Sequence, residues 1–291
     1  MIMKHLGRMI KRLIFPFFQI ITGIVFVNVP AFVLRSIAQL ILSTLVIDDV
    51  VKSLIIFLVR TVTVYFAYSL FVRIFEKRKA EEIAINTVSL KEFACGGLLG
   101  LFSITAVMTL MWISGSFSIN GMDHSAPLLK NFFYHAFYAL LQDIVYFAIL
   151  FRIIEKHFGS PVAIIIASIV FGFKHLLFPG YTLWSVVAQT IEAGILFSAL
   201  FILTRRIWMI VGFHLIWNYI EYGLILGFDA ENLTPLFNSE LTGTNLITGK
   251  PVGIEASLFT FCICTVVGIV MLIKAYKKGH FLLPNWKTVH E

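Results

Sequence analysis

SPVAIIIASIVFGFKHLLF (residues 160–178) and TLWSVVAQTIEAGILFSALFILT (residues 182–204) decide the fold. Each run is about as long as a helix needs to cross a hydrocarbon core of roughly 30 Å at 1.5 Å per residue. Only Pro179, Gly180 and Tyr181 separate them, which is turn chemistry. The pair therefore reads as a helical hairpin that crosses a membrane twice. Six further apolar runs lie near 13–34, 53–75, 93–115, 131–153, 207–228 and 254–274. The stretch SIAQLILSTLVI (residues 36–47) is apolar but too short to span, so it extends the first helix or lies in the interface.

Composition agrees. Of 291 residues, 59% are apolar and 13% charged, against about 45–50% and about 25% in soluble domains. A water-soluble enzyme, a disordered chain and a disulfide scaffold are excluded. The fold class is all-α, a polytopic membrane bundle of about eight transmembrane helices. The net charge of +7 would raise nucleic acid as a partner in a soluble protein. Here the basic residues flank apolar runs. With the N-terminus in the cytoplasm, 17 of the 23 basic residues fall in cytoplasmic segments and four opposite, as the positive-inside rule requires. Both termini are then cytoplasmic, and no nucleic-acid partner is expected. The first run follows Lys4, Arg8, Lys11 and Arg12 but lacks a small-residue cleavage signal, so it reads as a retained span. Three segments follow: residues 1–128 with spans 1 to 3, a core of spans 4 to 8 over 129–278, and a cytoplasmic tail over 279–291. Cys95, Cys262 and Cys264 all lie in apolar runs and read as packing thiols.

Ionisable groups in hydrocarbon are costly and face a partner, the bundle interior or a wet cavity. The first three spans contribute almost nothing beyond Arg60. The later ones carry His135, Gln142, Asp143, Lys174, His175, Gln189, Glu192, His214, Asn218, Glu221 and, at an outer edge, Glu255. One polar cavity built by the C-terminal half is expected. His214 and Asn218 are four apart and share a helix face, which Glu221 continues three residues on; Phe171 and His175 repeat the i,i+4 relation. Imidazoles that shuttle protons, an amide that donates without charge and carboxyls at mid-depth are the parts of an acid–base site.

Plainer readings exist for each residue. Intramembrane histidines hydrogen-bond between helices. Glu192 can pair with Arg60 or Lys174. Lys174 can snorkel to the outer interface. His135 lies near a span end, where water wets it. A zinc ion on His175, His214, Asp143 and Glu192 is the minority alternative to a site without cofactors, and no H-E-x-x-H spacing supports it.

Three short motifs in order carry a resemblance. FGFKHL (Phe171 to Leu176) has the form F-x-x-x-H, HLIWN (His214 to Asn218) the form H-x-x-x-N, and LITGKPVGIEASLFT (Leu246 to Thr260) contains G-x-E-x-S. Together they resemble the CPBP family, the CAAX proteases and bacteriocin-processing enzymes also called Abi, over roughly residues 130–275. The resemblance implies a bundle of about eight spans that hydrolyses peptide bonds of prenylated or membrane-associated peptides. It also implies membrane lipids as surroundings and the plasma membrane of a bacterium as location. In that family the first Glu of E-E-x-x-x-R activates water, two histidines assist and bind, and the Asn completes an oxyanion hole. His175, His214 and Asn218 match; Phe171 and Glu221 stand where substrate would be bound.

The first motif departs. In QDIVYF, Gln142 stands at the first Glu, Asp143 at the second and Phe147 at the Arg. An amide is no general base, and losing one costs roughly 10²–10⁴-fold in rate. Asp143, Glu192 or Glu221 could replace it. Alternatively, the chain is a catalytically silent relative that binds a peptide or lipid in the same cavity, as an immunity or chaperone protein. A proton-coupled transporter is a third reading, which the lack of an internal repeat disfavours.

Overall fold

The computed structural model describes residues 2–178, 180–227 and 233–284, with side chains from residue 14 onward. Eight of its helices are long and apolar enough to cross a membrane. They are α1 (Ile2–Ser43), α2 (Asp49–Glu76), α3 (Thr87–Ile113), α4 (Leu128–Phe158), α5 (Ser160–Leu177), α6 (Leu183–Thr204), α7 (Trp208–Leu226) and α8 (Leu258–Lys277). The chain is thus an all-α bundle of eight candidate spans. Residues 36–43 of the short apolar run extend α1, which continues unbroken to Ser43, and residues 44–47 lie beyond its end. Residues 285–291 of the tail lie outside the described residues.

Local chemistry sets the helix starts. The Asp48 carboxylate accepts from the Val50 amide at 2.8 Å and caps α2. Asn86 with Ser89, and Thr182 with Ser185, form reciprocal capping boxes that start α3 and α6. α4 and α6 are the most enclosed helices. α2 and α7 both pack on α4, and α5 and α8 both pack on α6. α3 lies along α7 at very short range. A Cβ on Gly96 would run into the Met209 backbone, and one on Gly212 into the Phe93 carbonyl. Small residues let backbones approach in this way where lipid offers no hydrophobic drive.

On the side opposite the positive charge, β1 (Phe117–Met122) pairs antiparallel with β2 (Phe237–Leu241), Phe117 facing Leu241. This ties the loop after α3 to the loop after α7. At the other end the chain beyond α8 folds back. Ser160 donates its amide to the Leu282 carbonyl at 3.0 Å and accepts the Leu282 amide on Oγ at 2.8 Å. Arg205 donates to the His280 carbonyl.

Beside this strap lies an ion-pair network. Arg152 bonds Glu76 with both terminal nitrogens, and Arg78 reaches Glu76 at 2.7 Å and Glu82 at 2.7 and 2.8 Å. Tyr68 also donates to Glu82. Burial pushes the Glu82 carboxyl up, but Arg78 and Arg152 outweigh it and hold its pKa below the ordinary carboxylate range. A carboxyl whose folded pKa is depressed stabilises above its unfolded value, roughly 4.3 for Glu, and that stability is lost as pH falls through the lower folded value. Thermal unfolding in detergent between pH 3 and 7 checks this. The midpoint should drop below about pH 4, and Glu82→Gln should start lower and show a shallower acid limb. Parallel acid limbs would remove Glu82 from the account.

Candidate active site

The site begins on α4, where Gln142 and Asp143 sit at the end of the regular α-helix. From Ile144 to Phe151 the helix widens into a π-helical segment. α7 does the same from Tyr219 to Leu226, directly after Asn218. Such widened turns re-aim side chains and often mark functional sites. Between α4, α5, α6 and α7 lies a cavity of about 760 Å³, lined by Gln142, His175, Glu192, His214 and Asn218 among aromatic walls.

Asp143 is 0% exposed. Its Oδ1 lies 3.0 Å from His214 Nδ1. A carboxylate on one ring nitrogen fixes the tautomer and leaves the other nitrogen with its lone pair. The His214 ring is held from the sides by Phe197 and Phe171, at centroid distances of 5.2 and 6.3 Å. His175 is oriented differently. Its Nδ1 lies 3.2 Å from the Gly172 carbonyl, and its ring stacks on Tyr181 at 5.0 Å. Phe171 touches both imidazoles, at 5.6 and 6.3 Å, and so spaces them. Phe147, the last residue of QDIVYF, is fully buried against Phe151, Phe171 and Phe197.

Lys174 does not snorkel. Its ammonium turns inward, donates to Gln142 Oε1, and lies 3.9 Å from the Phe171 ring centre and 4.7 Å from that of Tyr146. Aromatic faces and an amide oxygen satisfy a cation locally, so the long route to the interface is not needed. Glu192 is 2% exposed, and its Oε2 has no hydrogen-bond partner among the described residues. The expected pairing with Arg60 or Lys174 is absent from the ion pairs formed there. Arg60 places its guanidinium over the Phe137 and Tyr138 rings instead, at 3.6 and 4.9 Å.

Glu221 lies outside the cavity lining. The π-helical segment turns it from the face of His214 and Asn218, and it accepts the Trp217 indole at 2.7 Å and the Glu255 amide at 2.9 Å. It thereby pins the outer segment 253–257 over the cavity. Glu255 lines that segment's inner side, bonded to Tyr181 and within reach of Tyr222 and Gln189. Burial pushes its carboxyl above the ordinary range, an effect the Tyr181 and Tyr222 hydroxyls only partly offset.

His135 escapes a reading by span ends. It is 3% exposed, lines the same cavity and stacks on Tyr222 at 6.3 Å. Its spacing of seven from Gln142, two helical turns, is the signal that places it on that face. Cys264 also lines the cavity, while Cys95 and Cys262 are exposed on the outside of the bundle. Among the described residues, no three His, Cys, Asp or Glu side chains converge as a metal site would need.

Residues 124–220 match the family model Rce1-like, described as type II CAAX prenyl endopeptidase Rce1-like. The similarity to that family covers a third of the chain. The resemblance to the CPBP family read from FGFKHL and HLIWN is thereby shown. No curated protein matches the chain. The Rce1-like segment runs from just before α4 into the widened part of α7, so it contains Gln142, Asp143, His175, Glu192, His214 and Asn218. Eight apolar helices and a membrane-protease family together make this an integral membrane protein.

Proposed function

We propose that the chain is an intramembrane endopeptidase in which the Asp143–His214 pair takes over the task of the missing glutamate. The 3.0 Å contact between Asp143 Oδ1 and His214 Nδ1 carries this reading. The carboxylate holds the proton on Nδ1, and Nε2 is left to accept one from water, the base-and-orienter logic of hydrolytic triads. The water oxygen forms a bond to the scissile carbonyl carbon, and the carbonyl π pair moves onto its oxygen. Asn218 can donate to that oxygen. His214 holds the water's proton as imidazolium, stabilised by Asp143. Collapse re-forms the carbonyl, breaks the C–N bond and passes the proton to the leaving amine. His175 and Phe171 bind the peptide beside the reacting carbon. Glu192, facing the same cavity, serves as a carboxyl that relays protons. The substrate class is a peptide segment, lipidated or membrane-associated, that enters from the bilayer.

The test is hydrolysis of an internally quenched apolar peptide by the purified full-length protein in proteoliposomes. His214→Ala should lower the rate by at least about 10²-fold. Glu192→Gln should lower it less. A wild-type rate no higher than that of His214→Ala would sink the proposal.

A second reading is favoured by one specific observation. Phe147 is sealed into an aromatic cluster where the family has Arg, so the carboxylate network of the first motif has no room to form. The chain would then bind peptide or lipid without turning it over. Tight peptide binding with no hydrolysis by the wild type would support that reading.

A further inference from the structure

We propose that Gln142 is a hydrogen-bond donor to the reacting carbonyl oxygen, and that Lys174 is the positioning residue that makes it one. This rests on the hydrolytic reading above and assigns a role to a position where the related motif places an acceptor.

The two ends of an amide differ. Gln carries one oxygen that only accepts and one NH₂ that only donates, and the two ends are normally hard to tell apart. The Lys174 ammonium has donors and no acceptor. The atom that faces it must therefore be the amide oxygen, and Gln142 Oε1 is the atom bonded to Lys174 Nζ. The Phe171 and Tyr146 rings on either side keep the ammonium in place by cation–π attraction. Lys174 itself lies behind the wall, while Gln142 is part of the lining. With Oε1 turned to Lys174, the NH₂ is left for the cavity.

A carbonyl that gains negative charge during attack needs donors aimed at it. Asn218 supplies one such amide from α7. Gln142 supplies a second from α4, next in sequence to Asp143, which orients the base. A glutamate at 142 would present only acceptors to the same oxygen. The substitution is thus a change of sign at one wall of the cavity, and Lys174 locks that sign.

The experiment compares wild type, Gln142→Glu, Gln142→Leu, Lys174→Met and Lys174→Arg in proteoliposomes with the quenched apolar peptide. Gln142→Glu and Gln142→Leu should each lower kcat by about 10²–10³-fold, the usual cost of one oxyanion donor, with KM within about threefold. Lys174→Met frees the amide to turn over and should lower kcat by about tenfold, whereas Lys174→Arg restores most of it. Should Gln142→Glu fail to elute as a folded monodisperse protein, Gln142→Leu carries the comparison. A Gln142→Glu rate equal to or above wild type, or Lys174→Met indistinguishable from wild type, overturns the proposal. If the wild type hydrolyses nothing, the hydrolytic reading fails on its own, and the donor is read from binding instead. A phosphinic peptide, whose tetrahedral oxygens mimic the attacked carbonyl, should bind wild type at least about tenfold tighter than Gln142→Glu. Equal binding, or binding to neither, overturns the donor assignment.

Discussion

Asp143→Asn is expected to cut peptide hydrolysis by about 10³–10⁴-fold without unfolding the protein. The side chain is fully buried, and its Oδ1 meets His214 Nδ1 at 3.0 Å. Asn has the same shape and can still bond the ring, but it can do so by donating its NH₂ to Nδ1. The ring proton then moves to Nε2, which faces the cavity and can no longer accept from water. Loss of the correct tautomer in an otherwise intact triad costs about 10⁴-fold in kcat. The measurement is kcat for the quenched peptide together with a thermal unfolding midpoint. A large fall in kcat at an unchanged midpoint is the expected pair. Unchanged kcat would show that Asp143 does not set the imidazole.

Gly96→Ala is expected to destabilise the bundle by about 3 kcal/mol or more, and Gly97→Ala to leave it nearly unchanged. The two glycines are neighbours on α3, yet their surroundings differ. A Cβ on Gly96 would overlap the Met209 backbone, which cannot yield without moving α7. A Cβ on Gly97 would meet the Ile216 side chain at 3.4 Å, an ordinary contact. Overpacking a tight interface costs about 1–3 kcal/mol, occasionally more. At Gly97 the better helix propensity of Ala, worth roughly 0.5–1 kcal/mol, offsets any small adjustment. Because α7 carries His214 five residues beyond Met209, activity should fall with Gly96→Ala even in protein that remains folded. Thermal unfolding of both variants in detergent checks the contrast. Equal midpoints would remove the close α3–α7 contact as a determinant of stability.

The spans were legible because hydrophobic length is a local property: residues 160–178 declare themselves without knowledge of their neighbours. So was the cavity's outline, since the spacing of four between His214 and Asn218 fixes a shared face. What could not be read was the choice of partner across helices. Lys174 had a carboxylate, the interface and the Gln142 amide available, and only packing of α5 on α4 selects the amide. Arg60 likewise settles on aromatic faces rather than on Glu192. Ordinary helical periodicity carried past Asn218 puts Glu221 on the face of His214, and the widened segment turns it away. The strand pair left no hint. Phe117–Met122 and Phe237–Leu241 are short, lack a tight turn between them and meet only after seven helices have been traced.

The return of residues 280–282 onto Ser160 and Arg205 has a mechanical meaning. Ser160 opens α5 and also donates to Glu155 near the end of α4, at 2.5 Å. Tension applied to the polypeptide downstream of α8 is therefore delivered to the α4–α5 corner rather than dissipated in a loose end. Truncation at residue 279 would leave that corner unstitched and the Arg205 guanidinium with one acceptor fewer.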